Sequence, residues 1–253
     1  MIGIYFSGTG NTKFCLSQFL GNIGTDIPMY SITDQEVVAA ISDESDIVFA
    51  YPVYYSNLPK IVFDYIKNNE SLWAGKNIFV IATMGLFSGD GAGVLARLLK
   101  KHGANILGGL HLKMPDCIGD EKVLKKSFEE NKATIAATCI KIQKSAEQYL
   151  ANKPTKEGLG FWYHVAGLFG QRFYFMNKTK KYVHNPKINR EKCVGCGICK
   201  KVCPMNNVQI EANKAVPGNR CTLCYSCFAH CPKQAITILG KKVIEQHTME
   251  KYL

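Results

Sequence analysis

Met1-Ile2-Gly3-Ile4-Tyr5-Phe6-Ser7-Gly8-Thr9-Gly10-Asn11-Thr12 opens the chain, and its reading decides the fold class of the first half. Ile2 to Phe6 is a short, unbroken apolar run, the pattern of a strand buried on both faces. The run ends in two glycines interleaved with Ser7, Thr9 and Thr12, and Asn11 begins a helical stretch that reaches Asn22. Glycines between a strand and a helix let the backbone turn tightly and expose its N–H groups. With the three hydroxyls and the positive end of the helix, they make a cradle for a phosphate. The arrangement G-x-x-x-x-G-K-[ST] of a nucleoside-triphosphate loop is missing, because Lys13 stands in the wrong place for it. Taken alone, the hexapeptide is also open to a reading as a plain glycine-rich turn.

The same alternation continues outward from this stretch. Further strands are predicted over Ile27 to Ile32, Asp46 to Val53, Asn77 to Thr83 and Ala104 to Leu112, with helices over Asp34 to Ile41, Leu58 to Asn68, Gly91 to His102 and Asp120 to Leu150. Apolar strands alternating with amphipathic helices predict an α/β doubly wound parallel sheet covered on both faces. Ligands of such sheets bind beyond the carboxyl ends of the strands, where the winding reverses. The loop after the third strand, Tyr51-Pro52-Val53-Tyr54-Tyr55-Ser56-Asn57-Leu58-Pro59, carries adjacent aromatics able to stack on a planar heterocycle or simply to pack the loop. The loop after the fourth, Thr83-Met84-Gly85-Leu86-Phe87-Ser88-Gly89-Asp90-Gly91-Ala92, is again broken by glycines. Gly89-x-Gly91-x-Gly93 lacks the G-x-G-x-x-G spacing of a dinucleotide fingerprint, so no nicotinamide site of that kind is predicted.

Together the three loops resemble the flavodoxin family, whose phosphate loop has the form [TS]-x-T-G-x-T. The resemblance covers Met1 to about Leu150 and implies a five-stranded sheet in the order 2-1-3-4-5 with bound FMN. It implies that Ser7, Gly8, Thr9, Gly10, Asn11 and Thr12 hold the FMN phosphate. Pro52, Val53, Tyr54 and Tyr55, with Thr83, Met84, Gly85, Leu86, Phe87, Ser88 and Gly89, would flank the isoalloxazine ring.

The last part of the chain carries Cys193-x-x-Cys196-x-x-Cys199-x-x-x-Cys203-Pro204, repeated as Cys221-x-x-Cys224-x-x-Cys227-x-x-x-Cys231-Pro232. A 4Fe-4S cluster needs one sulfur per iron, and a curled C-x-x-C-x-x-C loop supplies three. Zinc is the rival for paired C-x-x-C motifs. The segment from Val183 to Leu239 resembles bacterial-type two-cluster ferredoxins, in which the fourth cysteine of each run serves the other cluster. That resemblance implies one cluster on Cys193, Cys196, Cys199 and Cys231 and another on Cys221, Cys224, Cys227 and Cys203. The first repeat departs from the pattern after Pro204, reading Met205-Asn206-Asn207. Cys15, Cys117 and Cys139 lie outside it and are assigned no role.

Between the two halves, Ala151 to Arg190 holds eight basic residues against one acidic residue, Glu157, so the segment is a basic one. Leu159, Trp162, Tyr163, Ala166, Phe169, Phe173 and Met176 follow helical spacing and predict a helix packed across both domains. An interfacial membrane helix is the second reading of this segment. The expected organisation is a flavodoxin-like domain over 1–150, a helical connector over 151–182 and a small α+β ferredoxin domain with a C-terminal tail over 183–253.

A chain of 253 residues suits two domains, and 47% hydrophobic with 20% charged residues is ordinary for a packed, water-soluble protein. No export signal and no span of ~20 uninterrupted apolar residues is read, and eight clustered cysteines fit ligation better than disulfides. A reducing cytoplasm is expected, and an anaerobic setting suits exposed iron–sulfur sites. The formal charge of +11 would fall to about +7 with two clusters on eight thiolates, and the FMN phosphate would remove ~1.5–2 more. The remaining positive charge favours redox partners with an acidic docking surface over nucleic acid, for which no motif is present. The order of modules resembles prokaryotic flavodoxin–ferredoxin fusions. It implies an electron-transfer protein passing electrons between a low-potential carrier and a partner protein. The alternative is a flavin-dependent reductase of a small acceptor, with Tyr54, Tyr55 or Asp90 as proton donor by location.

Overall fold

The structure, a computed structural model, describes residues 1–86, 89–167, 184 and 186–253. Strands β1 (Ile2–Tyr5), β2 (Met29–Ser31), β3 (Asp46–Pro52), β4 (Asn77–Met84) and β5 (Asn105–Lys113) form one parallel sheet in the order β2-β1-β3-β4-β5. The sequence reading of a doubly wound parallel sheet is therefore borne out. Helices α1 (Asn11–Ile23), α2 (Val37–Asp43), α3 (Lys60–Asn68), α4 (Gly91–Lys101) and α5 (Phe128–Leu150) connect and cover it.

Successive residues of a strand point to opposite faces, and the strands divide accordingly. Ile2, Ile4, Ile47, Phe49, Tyr51, Ile78 and Val80 pack with α2, α3 and α4 on one side. Val48, Ala50, Phe79, Ile81, Leu110 and Leu112 pack with Leu16, Phe19 and Leu20 of α1 and Ile135, Ile142 and Ala146 of α5 on the other. Both faces are dry, which is why the central strands read as continuous apolar runs.

Helix α5 starts at Phe128 and not at Asp120 as predicted. Ser127 accepts from the Glu130 amide and the Glu130 carboxylate accepts from the Ser127 amide, a capping box that fixes the first turn. Residues 114–121 before it run as irregular chain, followed by a short turn of helix at Lys122–Leu124. The side chain of Asp120 is used elsewhere, as described below.

Beyond α5 the chain returns along the sheet edge, where Gly109 exchanges backbone hydrogen bonds with Thr155 and Glu157. Helix α6 (Phe161–Gly167) follows. Leu159 packs on the core, but Phe161 and Trp162 are 70% and 78% exposed, so the expected burial of Trp162 is not met. Phe169, Phe173 and Met176 lie outside the described residues.

The C-terminal part contains the short antiparallel pairs β6 (Lys187–Ile188) with β9 (Ile236–Thr237) and β7 (Val208–Glu211) with β8 (Lys214–Pro217). Ala212 and Asn213, both at positive φ, make the two-residue turn of the β7–β8 hairpin. The last residues then run back onto the first half. Met249 is buried with Leu16 and Phe19, its amide donates to the Thr9 carbonyl (2.9 Å), and Tyr252 stacks on Phe128. Nothing in the local sequence announces this return. Among the described residues no helix is long and apolar enough to cross a membrane.

Candidate functional site

A cavity of about 230 Å³ lies beyond the carboxyl ends of β1, β3, β4 and β5. Ser7, Gly8, Thr9, Asn11 and Thr12 form its floor, with Pro52, Val53, Tyr54 and Tyr55 and Thr83, Met84, Gly85 and Leu86 as its walls. Gly10 and Gly89 lie off the lining, and Phe87 and Ser88 lie outside the described residues.

The floor is built by the start of α1. Phe14 is the first N–H to reach back into the helix, onto the Gly10 carbonyl (2.9 Å), which leaves the amides of Asn11, Thr12 and Lys13 without intrahelical partners. The helix dipole places partial positive charge at the same point. Ser7 Oγ accepts from the Gly10 amide (3.1 Å) and closes the turn. The side chains of Asn11 and Thr12 tie the loops together. Asn11 donates to the Pro115 carbonyl (2.8 Å), and the Thr12 hydroxyl, buried, bonds that of Thr83 on β4 (2.7 Å).

Tyr54 and Asn57 bond each other's backbone across Tyr55 and Ser56, both at positive φ, which forms a tight turn projecting the two tyrosines at the cavity. Burial, reinforced by nearby thiols and Asp116, pushes the Tyr54 hydroxyl well above its ordinary value. It stays protonated.

A third wall was missed by sequence reading. Met114, Pro115, Asp116, Cys117 and Ile118, after β5, line the cavity. Asp116 Oδ1 accepts from the Ile118 amide (2.9 Å), and burial raises its carboxyl above the usual range against the opposing pull of that bond and of Lys126. Burial and Asp116 also raise the Cys117 thiol. Asp90, named from sequence by its position in the loop, is not at the cavity. Its fully buried carboxylate meets Arg97 and His164 Nδ1 (3.0 Å), under α4 and α6.

The eight paired cysteines fall into two groups. Cys193, Cys196, Cys199 and Cys231 surround one small cavity, so the last cysteine of the second run joins the first three of the first. Cys221, Cys224 and Cys227 sit within electrostatic reach of Cys203. Amides donate to sulfur in both groups, Ala215 to Cys193 (3.4 Å) and Ala235 to Cys231 (3.3 Å), Asn207 to Cys203 and Leu223 to Cys221 (both 3.3 Å). The departure at Met205-Asn206-Asn207 leaves the backbone unchanged. Asn206 (φ 49°) matches Gln234 (φ 48°), and each turn delivers an amide to the preceding cysteine.

The two C-x-x-C-x-x-C loops share a backbone but differ in what fills it. Positive φ occurs at Gly195 and Gly197 in the first and at Leu223 (φ 61°) and Tyr225 (φ 59°) in the second. A left-handed conformation costs a side-chain-bearing residue ~1–2 kcal/mol, and such strain persists where neighbours over-determine it. Here the neighbours are visible. Leu223 and Tyr225 line the large cavity, and Tyr225 Oη donates to the buried carboxylate of Asp120 (2.9 Å), which also accepts from the Ile238 and Leu239 amides (2.6 and 3.0 Å). Cys224 belongs to the core that holds β1 and β3. The second cysteine group therefore abuts the cavity, and Cys196 of the first group is exposed.

Comparison with known proteins agrees with this division. The family described as a flavodoxin domain matches residues 2–105, and the family described as a 4Fe-4S dicluster domain matches residues 192–236. An uncharacterized ferredoxin of Methanocaldococcus jannaschii is 26% identical over 73 residues, covering 26% of this chain and 46% of that one. An uncharacterized protein of the same organism is 35% identical over 51 residues, 20% of each chain. The matches thus span less than half of either curated relative. Among solved structures, two-electron reduced Megasphaera elsdenii flavodoxin is 20% identical with a TM-score of 0.43, covering 58% of this chain and 99% of its own. Fusobacterium nucleatum flavodoxin bound to flavin mononucleotide is 16% identical with a TM-score of 0.39, covering 58% and 95%. The chain thus joins a flavodoxin domain, over residues 2–105, to a 4Fe-4S dicluster domain, over residues 192–236.

Proposed function

We propose that the protein passes electrons between a low-potential carrier and a partner protein, using FMN in the large cavity and two 4Fe-4S clusters, one on each cysteine group. The residues fit these groups. Amides without intrahelical partners at the start of α1 suit a phosphate, and the walls at Tyr54–Tyr55 and Gly85–Leu86 leave a slot suited to a flat ring. Each set of four donors is all sulfur; the first surrounds a small cavity, and in the second Cys221, Cys224 and Cys227 lie within electrostatic reach of Cys203. When bound, FMN would supply a centre for one or two electrons and each cluster a centre for one.

The observation that carries the proposal is the contact between the halves. A Cβ placed on Gly8 of the phosphate loop would lie 2.0 Å from the carbonyl oxygen of Cys224. A cysteine that would hold one cofactor thus touches the loop that would hold another. Leu223 and Tyr225, both buried, line the cavity beside this contact, and the tail at Met249 fastens the same loop from outside.

Anaerobic purification followed by iron, sulfide and flavin analysis tests the composition. About eight iron, eight sulfide and one FMN, all titrating reversibly, are expected. Zinc in place of iron, or clusters without flavin, would sink the corresponding half of the reading.

One observation favours the second reading, a reductase acting on a small acceptor. Asp116, whose carboxyl burial raises above its ordinary range, lines the cavity. Acceptor-dependent reoxidation of the reduced protein, with no protein partner present and lost in Asp116→Asn, would select it.

A further inference from the structure

The two cysteine groups differ in how a partner could reach them. The second lies against the phosphate loop, with Cys224 and Cys227 buried and Cys203 and Cys221 partly buried. In the first, Cys196 is exposed, and it stands between two apolar side chains that are also in the open, Val194 (50% exposed) and Ile198 (37%).

Around this small apolar centre positive charge predominates. Arg190, Lys192, Lys200 and Lys233 are exposed, as is Lys201 at the edge of this face towards Cys203 and Gly8, and none of the five has an ion-pair partner among the described residues. Glu191 is the single acid between Arg190 and Lys201. Interfaces of transient carriers combine an apolar patch with a charged rim, the rim steering encounter and the patch holding the complex.

We infer that the face formed by residues 190–201 and Lys233 is a docking surface for a small electron-carrier protein whose own redox edge is ringed by acidic residues. The inference rests on the electron-transfer function proposed above and assigns the partner to one end of the molecule. The exposed cysteine group is the port, and the buried group, against the cavity, is the inner station.

The test uses the full-length, cofactor-loaded protein. The pair Lys200→Glu/Lys201→Glu is compared with Lys144→Glu/Lys153→Glu, which makes the same change in net charge at exposed positions of α5 and the chain following it. The second-order rate of reduction by a reduced, acidic bacterial-type ferredoxin is followed by stopped flow at ~20 mM and ~300 mM salt. Photoreduced 5-deazaflavin, a small donor that needs no docking, reports whether the centres themselves are intact.

The expected result is a loss of about tenfold or more at low salt for the first pair, a flattened salt dependence, and a change below about twofold for the second. Reduction by deazaflavin stays the same in all three proteins. Equal loss in both pairs would mean that net charge alone matters and would overturn the docking face while leaving electron transfer standing. A wild-type protein that accepts electrons from deazaflavin but exchanges none with the ferredoxin at either salt would overturn the electron-transfer reading as well. Binding to vesicles rich in phosphatidylserine, abolished by the first pair with the ferredoxin rate unaltered, would assign the face to a lipid surface and overturn the proposal.

Discussion

Substitution of Gly8 by alanine probes the junction on which the two halves depend. The added methyl would lie 2.0 Å from the Cys224 carbonyl oxygen, 2.9 Å from its carbon and 3.0 Å from Cys224 Cβ. An ordinary carbon–oxygen contact needs more than ~3 Å, so one loop must withdraw by roughly an ångström. Neither side gives easily. Cys224 is buried, its loop is anchored by Tyr225 on Asp120, and the phosphate loop is tied to β4 through Thr12 and Thr83. Overpacking of this kind costs ~1–3 kcal/mol, and the upper half of that range is expected because the obstacle is backbone. Gly21 supplies the internal control. It is an exposed residue of α1 with nothing within 4 Å of an added Cβ, so Gly21→Ala should stabilise by ~0.5–1 kcal/mol through helix propensity. At ~2–4 °C per kcal/mol for a chain of this size, anaerobic thermal unfolding of the loaded protein should move down for Gly8→Ala and up for Gly21→Ala. A Gly8→Ala protein within ~0.5 kcal/mol of wild type would refute the reasoning, because the halves would then be separable at no cost.

Asp120→Ala should destabilise by ~3 kcal/mol or more, since it strands the Tyr225 hydroxyl and two backbone amides that now share a charged acceptor; denaturant midpoints give the value, and Tyr225→Phe should cost distinctly less. His111 accepts from the Ala92 amide through Nε2 (3.0 Å), and burial lowers its basicity. The unfolded chain therefore binds that proton more readily, so the contribution is full above pH ~6.5 and shrinks as pH falls below it. His111→Gln should flatten stability against pH in that window. For Asp116 the sign is opposite. Its carboxyl is raised in the folded state, so its ionised form costs stability as pH climbs above ~4, and Asp116→Asn should stabilise the cofactor-free protein at neutral pH.

The sequence alone determined a good deal. A phosphate loop is a local object, because Ser7 to Thr12 must both end a strand and begin a helix, and glycine at 8 and 10 marks the turn wherever the rest of the chain goes. Strand burial on two faces is likewise written in composition, and the five strands and their parallel order followed from it and from the family resemblance. The cysteine runs are local too, since three sulfurs come from seven consecutive residues.

Other features depended on contacts between residues far apart in the chain, which periodicity does not encode. The loop at 114–118 reaches the cavity only because β5 lies beside β4, so Asp116 was legible in neither its spacing nor its neighbours. Asp90 stands next to a glycine loop in sequence, yet its carboxylate turns inward to Arg97 and His164, since a buried charge goes where its partners are. The S-x-x-E box at Ser127 could have placed the start of α5 correctly, but Asp120-Glu121, acidic residues ahead of the short run Val123-Leu124, offered an earlier start.

The asymmetry between the two cysteine loops shows the division most clearly. In sequence they are repeats, and the glycines of one simply become leucine and tyrosine in the other. Only the tertiary structure shows that Leu223 and Tyr225 hold a left-handed backbone because their side chains close the cavity and reach Asp120, while Gly195 and Gly197 leave Cys196 open to solvent. Ligand spacing is a property of the chain. Which group faces the cavity and which faces solvent is set by packing, since burial is decided by what folds against a loop and not by the loop itself.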